Sequence, residues 1–220
     1  MLPVKDNIRT DRVALVTVVL MALSVAAYVW SVKGTSGTVW SGPASGFLAQ
    51  YDAMPYSLFL NAALLPLVAN LMFLWVFGNS LEDAMGPLRY ACFYLLGGLI
   101  SIGVAYAIGG EPVGLVGATG AAAAVLAGSL FFYPHNKILS VVLLPFMVTI
   151  VEVPTLVFLG IWIILQVLFA GLGYVAPADG NEAAAYLAPA AGLLFGFATV
   201  KLFARRRNPS YLGNADSSTA

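Results

Sequence analysis

The amino-acid sequence predicts an all-α polytopic membrane protein, a bundle of six transmembrane helices. Three observations predict it. Hydrophobic residues make up 60% of the 220-residue chain and charged residues only 9%, where a soluble domain of this size carries about 25%. The mean hydropathy is +0.91. Apolar runs of spanning length, roughly 20 residues, recur along the chain, and lysine and arginine are distributed among the connecting loops as a fixed membrane orientation requires.

The first apolar run, Val13–Val32, exceeds the ~7–15-residue core of a cleavable signal. It reads as a retained anchor, preceded by a short cytoplasmic segment, residues 1–12. Pro55–Phe77 and Leu88–Ile108 are the second and third spans, and Gly117–Phe132, shorter and rich in alanine and glycine, is the fourth. From Ile138 to Gly173 the chain stays apolar, but Pro145 and Pro154 interrupt it, and the residue before a proline is pushed out of helical geometry. The stretch divides into a membrane-hugging connection, Ile138–Val151, and a fifth span, Val153–Leu172. Ala183–Phe203 is the sixth. Residues 13–203 thus form the membrane domain, and residues 204–220 a tail that is basic at Arg205, Arg206 and Arg207 and then disordered. If Ile138–Val151 crossed as well, the arginine tail would lie outside. Six spans place nine of the ten lysines and arginines inside and only Lys33 outside, which decides for six. The outer loop, Lys33 to Ala53, carries Trp40, Phe47, Leu48 and Tyr51 among small polar residues, a composition suited to resting on the outer leaflet.

Several function classes lose ground at once. A net charge of zero offers no basic face to nucleic acid. One cysteine (Cys92, read as a helix-packing residue) and one histidine (His135) allow no disulfide framework and no metal site, and nothing calls for a cofactor. No span interior holds an ionisable residue, which argues against an ion-coupled transporter. The polar residues inside spans are Asn61, Asn70, Thr119, Ser129 and Gln166. Thr119 is placed to cap the start of span four. Pro66 and Pro189, read as lying inside spans, would bend them and free the carbonyls of Ala62 and Ala185. His135 belongs to a cytoplasmic loop some 24 Å from Thr119 along the helix, too far to act as its base. Gly117-Ala118-Thr119-Gly120 and the Gly192/Gly196 pair predict that spans four and six pack backbone to backbone.

These residues resemble a known family. Asn70-Leu71-Met72-Phe73-Leu74-Trp75-Val76-Phe77-Gly78, followed by Leu81-Glu82-Asp83-Ala84-Met85-Gly86 and Arg89-Tyr90, is similar to the second span and following loop of the rhomboid intramembrane proteases. Gly117-Ala118-Thr119-Gly120 resembles that family's Gly-x-Ser-Gly, and Val151-Glu152-Val153-Pro154 with Trp162 and Gln166 resembles its fifth span. Tyr186–Gly196 resembles the sixth, where the family reads Ala-His-x-Gly-Gly-x-x-x-Gly. The resemblance implies a six-helix rhomboid-like bundle in the inner (plasma) membrane of a bacterium, with both termini cytoplasmic. It places the nucleophile position on Thr119, the general-base position on Pro189, and the oxyanion positions on Pro66 and Asn70. Both histidines of the family's span-two motif are absent, and Asn70 alone remains.

A hydroxyl needs a neighbouring base to attack at neutral pH, and proline has no side-chain base. The resemblance therefore implies a pseudoprotease, related in kind to the inactive rhomboids and derlins, that binds transmembrane helices of client proteins without cutting them. Asn61, Asn70, Trp162 and Gln166 are its candidate client-binding residues, and its partners are those helices and the lipid bilayer. An active endopeptidase of altered mechanism, and a small pore or structural subunit, stay open as alternatives.

The charge bias yields a topology test. In a Cys92-free background, single cysteines at Ser36 and Ser217 are expected to label from opposite sides of the membrane with an impermeant maleimide. Labelling of both from one side would defeat the six-span arrangement.

Overall fold

The computed structural model describes residues 2–6, 14–34, 58–59, 64–109, 116–134, 137–144, 147–175 and 182–204. The helices follow the predicted order: α1 is Leu15–Gly34, and α2 is Leu64–Phe73. α2 widens into a π turn, Leu74–Gly78, and continues as α3, Asn79–Met85. α4 is Pro87–Gly109, α5 Val116–Phe132, α6 Thr155–Val175 and α7 Glu182–Phe203. Among the described residues, Pro87–Ala107 is the one helical stretch long and apolar enough to cross a membrane by length and composition. Leu15–Trp30, Gly117–Phe132, Thr155–Leu165 and Pro189–Phe203 are apolar but shorter. Val19, Leu96, Ile164 and Leu202 are exposed, and an apolar outer surface of this kind marks a membrane contact.

α5 is the centre of the bundle, with every residue from Gly120 to Leu130 buried. Its run of four alanines lets α4 and α7 approach closely. A Cβ added at Gly192 of α7 would collide with the Gly120 carbonyl oxygen, and one added at Gly196 would lie 2.6 Å from the Ala124 carbonyl oxygen. A Cβ at Gly120 would collide in turn with Ser101 of α4. Spans four and six do pack backbone to backbone, as the small-residue spacing predicts. Cys92, by contrast, is exposed on α4 and is not the packing residue expected.

The second span departs from its predicted bounds. Leu58 and Phe59, expected in helix, form a turn, with the Tyr94 hydroxyl donating to the Leu58 carbonyl at 3.4 Å and Phe59 stacked on Tyr94. Helix is described from Leu64 and runs on to Met85, through residues expected in a loop. Pro66 lies within this helix. The Ala62 carbonyl expected to be freed by it lies outside the described residues. Pro189 does lie inside its helix.

Gly86 ends α3 with φ 85° and donates to the Glu82 carbonyl at 2.7 Å. Only glycine enters that region without strain, and Pro87 then opens α4, where its fixed φ suits the first turn. Glu82 is buried and accepts from the amides of Val16 and Thr17 at 3.0 and 2.8 Å and from the Thr17 hydroxyl at 2.9 Å. A carboxylate at a helix N-terminus satisfies amides that the helix cannot, so Glu82 fixes α1 to α3. At the same end of the bundle, Arg89 donates to the Ala204 carbonyl just beyond α7 at 3.1 Å.

Ile138–Val151, expected as a membrane-hugging connection between spans, is strand wherever it is described. β2 (Lys137–Leu144) and β3 (Met147–Pro154) form an antiparallel hairpin, and β1 (Leu2–Asp6) pairs with the other edge of β2. Sheet order is β1-β2-β3. Valine, isoleucine and leucine on either side of Pro145 favour strand, and pairing also satisfies the backbone.

The glycine contacts give a stability test. Gly192→Ala is expected to destabilise by about 1–3 kcal/mol, as overpacking against backbone does. Gly160→Ala should be near neutral, because a Cβ there meets nothing within 4 Å. Unfolding in mixed micelles with increasing denaturing detergent would compare them; equal effects would mean the α5–α7 contact is not tight.

Candidate functional site

Three helices enclose a cavity of about 120 Å³, lined by Pro66, Ala69, Asn70 and Phe73 of α2, Thr119, Ala122, Ala123 and Leu126 of α5, and Trp162 of α6. It has the volume of about four waters at ~30 Å³ each. The local structure accounts for each wall. Residues 66, 69, 70 and 73 recur at helical spacing and share one face of α2. Residues 119, 122, 123 and 126 do the same on α5. The alanines leave the space that larger side chains would fill.

Four positions singled out in the sequence thus meet in one place: Thr119, Asn70, Pro66 and Trp162. Thr119 is half-buried and Asn70 is buried. Thr119 is the fourth residue of α5, one turn inside the helix and not at its cap, and it lines the cavity. Pro189 is buried on α7 and is not part of the lining. It precedes Gly192 by three residues, or about 4.5 Å of helical rise, and Gly192 abuts Gly120, the neighbour of Thr119. Position 189 therefore stands one turn from the closest α5–α7 contact. Asn61 and His135 lie outside the described residues, as does the side chain of Gln166, whose backbone belongs to α6.

The wall between α2 and α6 is aromatic. Phe73 meets Phe158 at 5.8 Å and Trp162 at 6.5 Å between ring centroids, and Phe77 meets Phe158 at 6.3 Å. These rings bridge helices whose backbones stand apart, and aromatic pairs of this kind contribute about 0.5–1.5 kcal/mol each. Sequence reasoning singles out Trp162 as a site residue but misses Phe73, Phe77 and Phe158. The signal that could have found them is the four-residue spacing of 73 with 77 and of 158 with 162, which stacks side chains on one helix face.

Chemically, the cavity offers a threonine hydroxyl, an asparagine amide and the Trp162 indole on an otherwise apolar wall. None of its nine lining residues is titratable, and no cluster of histidine, cysteine or carboxylate able to hold a metal occurs among the described residues. A hydroxyl without a base is a hydrogen-bonding group and a poor nucleophile. A second, larger hollow of about 790 Å³ lies between α1 and α2, lined by Val18, Met21, Ala22, Val25, Ala26, Val29, Trp30, Leu71 and Trp75. It is open and apolar and carries no reactive group.

Comparison with protein families matches the Rhomboid domain over residues 49–206. That is more than half of the chain, and it contains every helix but α1. Comparison with curated proteins finds no match.

Proposed function

Because the chain belongs to the rhomboid family of membrane-embedded proteins, whose fold is that of a serine protease, we propose that it is a pseudoprotease: a scaffold that holds transmembrane segments of other membrane proteins without cleaving them. One observation carries the reading. The cavity that unites the nucleophile position, Thr119, with the oxyanion positions, Asn70 and Pro66, has no titratable group in its wall, and a buried proline stands at the base position. Loss of the serine or the histidine of a serine-protease triad alone costs about 10⁶ in turnover, and both are replaced here. Threonine's extra methyl further crowds attack, and Thr119 is internal, so no N-terminal amine can serve as its base.

What remains suits binding. Asn70 and Thr119 offer polar partners inside an apolar wall, where a client residue that breaks helical hydrogen bonding would otherwise stay unsatisfied. Interhelical hydrogen bonds in membranes average only about 0.6 kcal/mol, so these two groups would select among clients and not hold them alone. Phe73 and Trp162, the half-buried rings of the aromatic seam, provide contact area for a docked helix. The two ties at the Glu82 and Arg89 end, to α1 and to the end of α7, support an arrangement with the start of α1 and the end of α7 on one side of the membrane, and the lysine and arginine bias is the reason to take that side as cytoplasmic.

The purified protein is expected not to cleave a generic rhomboid substrate, and Thr119→Ser alone should not restore cleavage. Thr119→Ser with Pro189→His should give at most a trace, since the span-two histidines are missing. Robust cleavage by the unmodified protein, abolished by Thr119→Ala, would overturn the reading.

Client docking between α2 and α6 can be tested separately. Leu67, a natural choice for a photo-crosslinker on the second span, is buried, as is Leu20 on α1. Pro66 and Val157 are exposed beside the seam, and Val19 is exposed on α1. Crosslinkers at Pro66 and Val157 should capture discrete membrane proteins, and one at Val19 should not. Equal, diffuse capture from all three would make the seam an ordinary lipid-facing wall.

A further inference from the structure

The hollow between α1 and α2 takes no part in the cavity and lies on the opposite face of α2. Pro66, Ala69, Asn70 and Phe73 turn to the cavity, while Leu71 and Trp75, four residues apart, turn to α1. The hollow exists because α1 is packed along only part of its length. Glu82 ties the first turn of α1 to α3. Thr17, Leu20 and Ser24 are buried at helical spacing beyond that tie, and from Val25 to Trp30 no residue of α1 is buried. Ala22 and Ala26, one turn apart, leave the space. Trp30 and Trp75, 70% and 51% exposed, line it from α1 and from the π turn.

Size and chemistry say what such a hollow can hold. From Val18 to Trp30 it follows about 18 Å of helical rise along α1. A volume of about 790 Å³ over that rise gives a mean cross-section of roughly 45 Å². A helix with its side chains is about 10–12 Å across and needs about twice that section, so it would seat only in part. An unbranched acyl chain is thinner than any helix. The 18 Å length is little more than half of the ~30 Å hydrocarbon core, the reach of one leaflet's chains. The lining agrees with this. Helices associate in membranes through small residues and interhelical hydrogen bonds. Apart from the two indoles this lining has no polar side chain, and its alanines are flanked by tryptophan, methionine and valine. Flexible methylenes gain dispersion from any apolar contour.

We infer that the hollow between α1 and α2 is a binding site for the acyl chains of a membrane phospholipid, which enter from the Trp30 end and fill the gap that the Glu82 tie leaves beyond it. Trp30 stands four residues before the end of α1 and is of the type that settles at headgroup level. Seated there, the chains support α1 where protein packing ends. They also press on the back of the helix whose other face lines the cavity. The site follows from the packing of α1, and it holds whether the protein cuts other membrane proteins or only binds them.

Tryptophan fluorescence tests this, because bromine on an acyl chain quenches an indole that it touches. The probe is phosphatidylcholine with one dibrominated chain, titrated into mild-detergent micelles that hold the full-length protein. One variant keeps Trp75 as its sole tryptophan, through Trp30→Phe, Trp40→Phe and Trp162→Phe. A control carries Trp75→Phe as well and has Leu99→Trp, on the exposed side of α4, as its sole tryptophan. Trp75 should reach half-quenching at about tenfold less bromolipid than the control, a difference in binding of ~1.4 kcal/mol. Ala22→Leu with Ala26→Leu, which fills the hollow, should return Trp75 to the control curve. Val19→Leu, exposed on α1 outside the lining, should not. Coincident curves for Trp75 and the control would mean ordinary annular lipid only and would overturn the inference. So would excess quenching that survives the filled hollow. A Trp75 that no bromolipid reaches would overturn it too, and would put protein there, whether a second copy or a client helix.

Discussion

In a bilayer, helices gain little from hydrophobic burial against one another, because lipid is as apolar as their side chains. This bundle therefore depends on how closely α4, α5 and α7 can bring their backbones together. Gly120 is where they meet, with Ser101 on one side and Gly192 on the other. Neither contact leaves room for a Cβ. The functional geometry follows from it, since Thr119 is the residue before Gly120 and Pro189 is one turn before Gly192. A wall of the cavity and the placement of Pro189 on α7 are set by the same contact that holds the core.

Scaffold and chemistry are separable in such a design. Close packing needs small residues at a few fixed positions, and those are present. Hydrolysis needs a base, and a base in an apolar interior is costly to keep. Threonine and proline at positions 119 and 189 are compatible with that packing, and on the reading proposed above they remove that cost together with the reaction. Glu82 shows the opposite case. Its buried carboxylate sits where two backbone amides and a hydroxyl need an acceptor, so the charge is compensated by the helix end it serves.

Much of this is legible in the residues. Proline, glycine and alanine spacing places the helices in order and brings α5 against α7, and Thr119, Asn70, Pro66 and Trp162 share one cavity. The misses have physical causes. Hydropathy reads Pro55–Phe77 as one helix because it cannot distinguish a buried turn at Leu58–Phe59 from helix. The same measure stops the helix at Phe77, because Glu82 and Asp83 look like loop residues until the partners of Glu82 are known. Ile138–Val151 reads only as a membrane-hugging connection, because short apolar runs broken by a proline carry no period that separates strand from other structure. Its strand partner β1 comes from the far end of the sequence, which no local pattern reveals.

The π turn at Leu74–Gly78 has a bearing on how such a protein can change. A turn holding an extra residue shifts the phase of everything after it by about 100°, the rotation of one helical residue. Upstream of it, Asn70 and Phe73 are keyed to the cavity; downstream, Glu82 is keyed to α1. The turn acts as a coupling between two independently set dials. A lineage could re-aim the cavity-facing residues by gaining or losing one position there while the clamp on α1 kept its alignment. A change of length within these five residues would therefore rotate the cavity-facing residues relative to the clamp on α1.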